Sequence, residues 1–329
     1  MMKLARCVNM PAMSVAPTPP DPQSAAAVLM VRPASFGFNP QTAASNAFQR
    51  SGATNADIAT QALAEFDTLA EALRRAGVAV LIAADSPTPA KPDAIFPNNW
   101  VSFHCDGTVT LYPMMAPNRR FERREEIVEQ VLREGGFRAR RTVDLSYREA
   151  QGKFLEGTGS MVLDRSHRVA YACVSPRTDL DVLGEFAQQL DYELVTFDAV
   201  DDAGLPIYHT NVMLAIGTAF AVVCGASIVN EQHRAAVFSK LRADGHELVD
   251  ITQEQMRQFA ANVLELATPS GQCLAISATA LDSLRPEQRH ILESHARLLP
   301  VGIPCVERHG GGGVRCMLAE IHLPKRRMS

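Results

Sequence analysis

The stretch NNWVSFHCDGTVTLYP, residues 98–113, reads as two strands folded back on each other around an Asp106–Gly107 turn. A charged helical stretch follows, NRRFERREEIVEQVLREGG (118–136), ending on Gly135–Gly136 as helices often do. A further strand, RARRTVDL (138–145), completes a unit of strand, strand, helix and strand.

The letters do not repeat along the chain, but this order does. GSMVLDRSHRVAYACVS (159–175), DLDVLGEFAQQL (179–190) and YELVTFDA (192–199) form a second copy. NVMLAIGTAFAVVCGAS (211–227), EQHRAAVFSKLRADG (231–245) and HELVDIT (246–252) form a third. The fourth is NVLELATPSGQCLAISATA (262–280), RPEQRHILESHARLL (285–299) and IPCVERH (303–309). The spacing of roughly 50–60 residues is that of a repeat architecture. A fifth copy forms only if the termini are joined: VRCMLAEIHLP (314–324) and AAVLMVRP (26–33) supply its paired strands, NADIATQALAEFDTLAEALRRAG (55–77) its helix and VAVLIAA (78–84) its last strand. Splitting one module between the two ends lets a circular array close without an open edge. The expectation is an α/β fold of five such modules.

Composition narrows the function. With 47% hydrophobic and 21% charged residues, the 329-residue chain can bury a sizeable core. A net charge of −4 with scattered basic residues argues against nucleic acid as a partner. No apolar stretch is long enough to span a membrane. Residues 1–24, rich in Pro, Ala and Met, read as a flexible tail, leaving 25–329 as a single catalytic domain. Seven cysteines, an odd number with no CxxC pair, read as reduced thiols in a cytoplasmic protein. The histidines are dispersed and lack zinc-type spacing, so neither a metal nor an organic cofactor is expected.

In a ring of modules the starts of corresponding strands converge. Near those starts stand Asn99 and Trp100, Glu156, His209, Asn262 and Cys316. A thiol nucleophile, an imidazole to move protons and a carboxylate to orient it are what a cysteine hydrolase requires. The run Gly310–Gly313 just before Cys316 would let backbone pass close to a bound substrate.

Cys316 after a glycine run, YHTNVML (208–214), FLEGTGS (154–160) and DAIFPNNW (93–100) together resemble the guanidino-group-modifying, or pentein, superfamily. Within it the likeness, which includes VLMVRPASFGFNPQT (28–42), is closest to the citrulline utilization hydrolase branch. The resemblance implies a five-bladed α/β propeller, which agrees with the repeat count, and chemistry through a covalent adduct on the thiol. It carries the nucleophile onto Cys316, the general acid/base onto His209 and the acid of an EGGD-type motif onto Glu156. Asp93 and Phe96 match a D-x-x-F motif on the pocket wall.

Two departures concern the substrate. Asn99 stands where deiminases have aspartate, and EGTGS leaves Gly159 and Ser160 where they have a second acid. An amide suits a neutral group that both donates and accepts hydrogen bonds, whereas a buried cation requires counter-charge. The expectation is therefore hydrolysis of L-citrulline to L-ornithine, carbon dioxide and ammonia, with Asn99 and Asp93 on the ureido group. Arg32 or Arg315 would hold the carboxylate of this small amino-acid substrate. A deiminase or dihydrolase of arginine or methylarginine is the alternative enzyme, and a non-catalytic pentein binding module the alternative of another class. The resemblance also admits a homodimer.

Overall fold

The computed structural model describes residues 21–43, 46, 48, 49 and 55–326. The strand–strand–helix–strand order is realised five times, each time as a separate three-stranded sheet. Four sheets are continuous in sequence. They comprise Val101–Phe103, Thr108–Leu111 and Arg141–Asp144; Val162–Asp164, Val169–Cys173 and Glu193–Phe197; Leu214–Ile216, Phe220–Val223 and Glu247–Asp250; and Leu264–Thr268, Gly271–Ser277 and Arg297–Val301. The fifth joins the two ends of the chain, with Ala319–Glu320 antiparallel to Ala27–Arg32 and Ala79–Ala84 parallel to it. In every sheet the first strand runs antiparallel to the second and the third parallel to it. A parallel pair requires a crossover, here supplied by helices Asn55–Ala76, Glu125–Glu134, Leu180–Leu190, Glu231–Ala243 and Pro286–His295.

Local chemistry sets the helix ends. The Asp179 side chain accepts from the backbone N–H groups of Asp181 and Val182, and Asn230 does the same for Gln232 and His233. Between them, Val182, Leu183, Phe186 and Leu190 fall on one face and are buried.

Burial grades across each sheet. The central strands VAYAC and FAVV are wholly buried, as apolar runs should be. Third strands such as RTVD and ELVTF are largely exposed or half-buried. The short first strands VSF and LAI are buried throughout, so the first strands face the interior of the molecule. Neighbouring sheets meet there. Phe103 bridges to Ile321 and Ala25 to Leu266, and the strands at 162–164 and 264–268 each pack on 214–216. No sheet closes on itself. Among the described residues no helix is long and apolar enough to cross a membrane.

Several sequence expectations shift. The expected tail lies outside the described residues up to residue 20, but Gln23 and Ser24 are buried. The Gln23 amide donates to the Leu163 and Ile216 carbonyls, each at 3.0 Å, and accepts from the Arg165 N–H at 2.8 Å. IPCVERH is not a strand. Pro304 opens a helix, Pro304–Gly310, where a proline ring is tolerated, and the strand lies earlier, at Arg297–Val301. That strand carries Pro300 at the sheet edge, where a missing N–H costs little. The expected final strand VRCMLAEIHLP is mostly a turn, Val314–Met317, followed by the two-residue strand.

Candidate active site

A short turn precedes the first strand of each module. Four are single turns of helix: Pro97–Asn99, Gly157–Ser160, Thr210–Val212 and Val314–Met317. The fifth is closed by the Asn262 N–H donating to the Phe259 carbonyl at 2.8 Å. The Gly157–Ser160 turn packs against those at 97–99 and 210–212, and 97–99 packs against 314–317. Asn99, Glu156, His209, Asn262 and Cys316 are therefore brought together from five modules, as the repeat predicts. Cys316 sits within its turn rather than on a strand.

Its sulfur accepts from the Asn262 amide at 3.2 Å and, more weakly, from the Asn211 amide at 3.8 Å. Burial pushes the thiol pKa up, and these amides and the Arg315 charge offset it only in part. His209 Nε2 lies 2.9 Å from Glu156 Oε2. With a carboxylate there, Nε2 carries the proton and Nδ1 is left as the base. Burial lowers the imidazole pKa to about 4 against the opposing pull of Glu156. Burial alone would raise the Glu156 carboxyl. The Arg177 charge, the His209 bond and Arg119 outweigh it and hold that carboxyl well below its ordinary range. The resting pair is thus a neutral thiol and a neutral imidazole.

These groups face a narrow pocket of about 20 Å³, room for about one water. Asp93, Phe96 and Asn99 line it as expected, with Thr42, Asn46, Tyr208 and Gly310–Gly312. Asn99 is oriented by Arg119, whose NH1 donates to Oδ1 at 3.0 Å. Its Nδ2 is buried and has no partner among the described residues. Asp93 Oδ2 accepts from Asn39 at 2.7 Å and Thr42 at 3.3 Å, while its Oδ1 is likewise unpartnered. The cavity thus presents one bare donor and one bare acceptor. Two larger clefts, about 540 and 820 Å³, open between residues 252–258, 278–285 and 304–308, away from the thiol and imidazole.

The missing second acid has a steric reason. A Cβ on Gly159 would come within 2.5 Å of Asn99 Nδ2 and 2.8 Å of His209 Nδ1. Ser160 serves the backbone instead, donating to the Arg177 carbonyl at 2.6 Å and accepting from the Glu156 N–H at 2.9 Å. The glycine run is used for close approach. Gly311 has φ +64°, and a Cβ on Gly312 would lie 3.1 Å from Cys316 Cβ and 3.0 Å from the Phe96 ring. The Tyr208 hydroxyl and the Asn46 amide donate to the Gly311 and Gly310 carbonyls, at 2.7 and 3.2 Å.

Neither arginine expected to hold a substrate carboxylate lines the cavity. Arg32 is half-exposed and pairs with Asp67 at 2.9 Å. Arg315 donates to the Leu318 carbonyl at 2.9 Å and to Glu320 at 3.0 Å. Two other arginines line it: Arg119, bidentate to Glu122 at 2.9 Å on both arms, and Arg177, 3.3 Å from Glu156 and stacked over Tyr208. Arg119 lies in a run of charges that reads as a solvated helix face, and Arg177 in a loop without periodicity. Asn211, two residues after His209 in YHTNVML, was within reach of sequence reasoning.

The family model described as N,N dimethylarginine dimethylhydrolase, eukaryotic, matches residues 32–323. No curated protein matches the chain. Among solved structures, the substrate-bound N-terminal domain of ArgZ, an arginine dihydrolase from cyanobacteria, superposes with a TM-score of 0.68 at 16% identity, covering 90% of this chain and 97% of that one. Unliganded AgrE gives 0.69 at 16% identity, over 91% of this chain and 40% of that one. A dimethylarginine dimethylaminohydrolase adduct with 4-chloro-2-hydroxymethylpyridine gives 0.61 at 16% identity, over 90% and 99%. At such identities the likeness is one of fold.

Proposed function

The chain belongs to the N,N dimethylarginine dimethylhydrolase family and with it to the guanidino-group-modifying (pentein) superfamily; from that premise we propose that it is a cysteine-dependent hydrolase of a ureido amino acid, converting L-citrulline and water to L-ornithine, carbon dioxide and ammonia. On this reading the five sheets are the blades of a propeller, and the turns before their first strands form one catalytic centre. Its free cysteines suit a cytoplasmic enzyme.

The observation that carries the choice of substrate is the pair of bare polar atoms. Asn99 Nδ2 offers a donor and Asp93 Oδ1 an acceptor. A ureido group has a carbonyl for the first and N–H groups for the second, while a guanidinium has only donors. Asp93 and Glu156 each already face an arginine, Arg119 and Arg177, so a neutral group enters without added charge.

In the proposed reaction, the Cys316 proton passes to His209 Nδ1 and the thiolate attacks the ureido carbon. Glu156 steadies the imidazolium through Nε2. The bond to the side-chain nitrogen breaks, His209 returns the proton to that nitrogen, and ornithine departs, leaving an S-carbamoyl group. His209 then deprotonates water. Its attack releases carbamic acid, which yields carbon dioxide and ammonia, and the thiol is restored. Arg177, which lines the cavity between Glu156 and the Thr42 carbonyl, is assigned to the substrate carboxylate.

A guanidino substrate is the second reading. The names of the fold relatives favour it, an arginine dihydrolase and a dimethylarginine dimethylaminohydrolase. Ornithine and ammonia release from L-citrulline, measured beside L-arginine with wild type and Cys316→Ala, separates the readings. Ornithine from citrulline alone, lost in the variant, supports the ureido assignment. Turnover of arginine in preference to citrulline overturns it.

A further inference from the structure

Nine histidines look dispersed along the sequence, yet two of them meet one aspartate at a boundary between sheets. Asp164 ends the strand Val162–Asp164, His167 lies in the turn that follows, and His246 immediately precedes the strand Glu247–Asp250. His167 Nδ1 is 2.9 and 3.0 Å from the two Asp164 oxygens, and His246 Nε2 is 2.7 Å from Oδ2. The three ligand atoms all lie within 4.8 Å of one another. Asp164 and His246 are buried, and His167 is partly exposed, leaving one open side. Glu156 and His209 precede their strands, whereas Asp164 closes one, so this cluster sits at the other end of its module from the candidate active site.

We propose that Asp164, His167 and His246 form a binding site for a divalent transition metal, zinc above all, which clamps the second of the four sequence-continuous sheets to the third. Two imidazoles and one carboxylate suit borderline ions rather than magnesium or calcium. Tetrahedral ligands at roughly 2.1 Å from an ion are about 3.4 Å from each other, so the His–Asp contacts of 2.7–3.0 Å open by a few tenths of an ångström to take one.

Among the three side chains, His246 keeps one buried ring nitrogen, Nδ1, without a hydrogen-bond partner among the described residues. Binding requires no proton to leave the protein. On His246 the proton moves from Nε2 to the free Nδ1, and on His167 from Nδ1 to the exposed Nε2.

The test uses the full chain without a histidine tag, carrying Cys316→Ala to remove the reactive thiol as a competing ligand. Zinc is titrated by calorimetry, and the melting temperature is followed with and without it. The expected result is one zinc per chain and a melting temperature that rises with zinc concentration. His167→Ala, at a partly exposed position that should leave the fold intact, weakens binding at least tenfold and abolishes the rise. Magnesium gives neither effect. Absence of a zinc response in the Cys316→Ala chain, or an unchanged response in His167→Ala, overturns the proposal and leaves Asp164 as a simple hydrogen-bond acceptor for two histidines.

Discussion

On the proposed reading, replacing Asn99 by aspartate changes one group at the point where substrate charge is read. The Arg119 NH1 bond to Oδ1, 3.0 Å, survives and holds the new carboxylate in place. The buried Nδ2, which has no partner, becomes an oxygen with negative charge. For citrulline, a donor to the ureido carbonyl is lost and an acceptor faces an acceptor. An unmade buried hydrogen bond costs about 1–3 kcal/mol, and like partners add to it, so a loss of about 2–4 kcal/mol in transition-state binding is expected. That is roughly a 30- to 1000-fold fall in kcat/KM. For arginine the same atom gains a charge-assisted bond, about 1.5–3 kcal/mol, so the two specificities move in opposite directions. Ornithine release from each substrate measures both. Asn99 Nδ2 and His209 Nδ1 crowd the same point over Gly159, so the new charge also raises the His209 pKa from about 4, shifting the acid limb of the pH profile upward. A citrulline efficiency within threefold of wild type, or arginine and citrulline falling in parallel, would refute the reasoning.

Cys316→Ala should abolish turnover, by more than about 10⁴-fold, while the protein still unfolds cooperatively. Glu156→Gln leaves Arg177 without its carboxylate and should lower stability by about 3–5 kcal/mol in a denaturant titration. Arg177→Lys keeps the charge but loses the planar fork, so KM for citrulline should rise about tenfold or more with kcat less affected. Because the reactive form is neutral thiol with neutral imidazole, kcat/KM should be flat from about pH 5 to 8 and fall as His209 takes a proton near pH 4. The sign for stability follows from the same residue. Its folded pKa of about 4 lies below the unfolded value of about 6.5, so the unfolded chain binds more protons in between. Stability is then fully present above about pH 6.5 and declines by about 3 kcal/mol as pH falls to 4, measurable as a melting temperature series.

The order of elements was legible because strand and helix periods and turn residues are local signals. The convergence of Cys316, His209, Glu156, Asn99 and Asn262 followed from repetition alone, since equivalent positions in equivalent modules meet. The errors have a common cause. IPCVERH is apolar and short, a length at which strand and helix look alike, and Pro304 decided it as a helix start. Arg32 and Arg315 do not reach the cavity because a side chain's direction is set by its partners, here Asp67 and Glu320. Arg119 and Arg177 reach the cavity from a charged run and from a loop, where no period marks an inward face. The lack of an acid in EGTGS was visible as chemistry. Its steric reason, the crowding of Asn99 and His209 over Gly159, exists only once three modules are assembled.

The glycines and the narrow pocket bear on one another. A pocket of about 20 Å³ holds about one water, so on the proposed reading a bound ureido group displaces part of its wall. The turns bearing Cys316, His209, Glu156 and Asn99 are tied by backbone bonds to buried strands. Thr42 and Asn46 line one side of the pocket, with Asn39 and Phe48 nearby. Asn39 and Thr42 donate to Asp93, Asn46 to the Gly310 carbonyl, Arg177 to the Thr42 carbonyl, and Phe48 stacks on Tyr208 and Phe259. Three of these four bonds have a charged partner, Asp93 or Arg177, and are worth about 1.5–3 kcal/mol each, against about 1 kcal/mol for the neutral one from Asn46. Those two partners, Asp93 and Arg177, are the residues assigned to the two ends of the substrate. On the proposed reading an entering ureido amino acid competes with Asn39 and Thr42 for the same two groups, while the Gly310–Gly312 backbone keeps Asn46 and Tyr208 on its carbonyls.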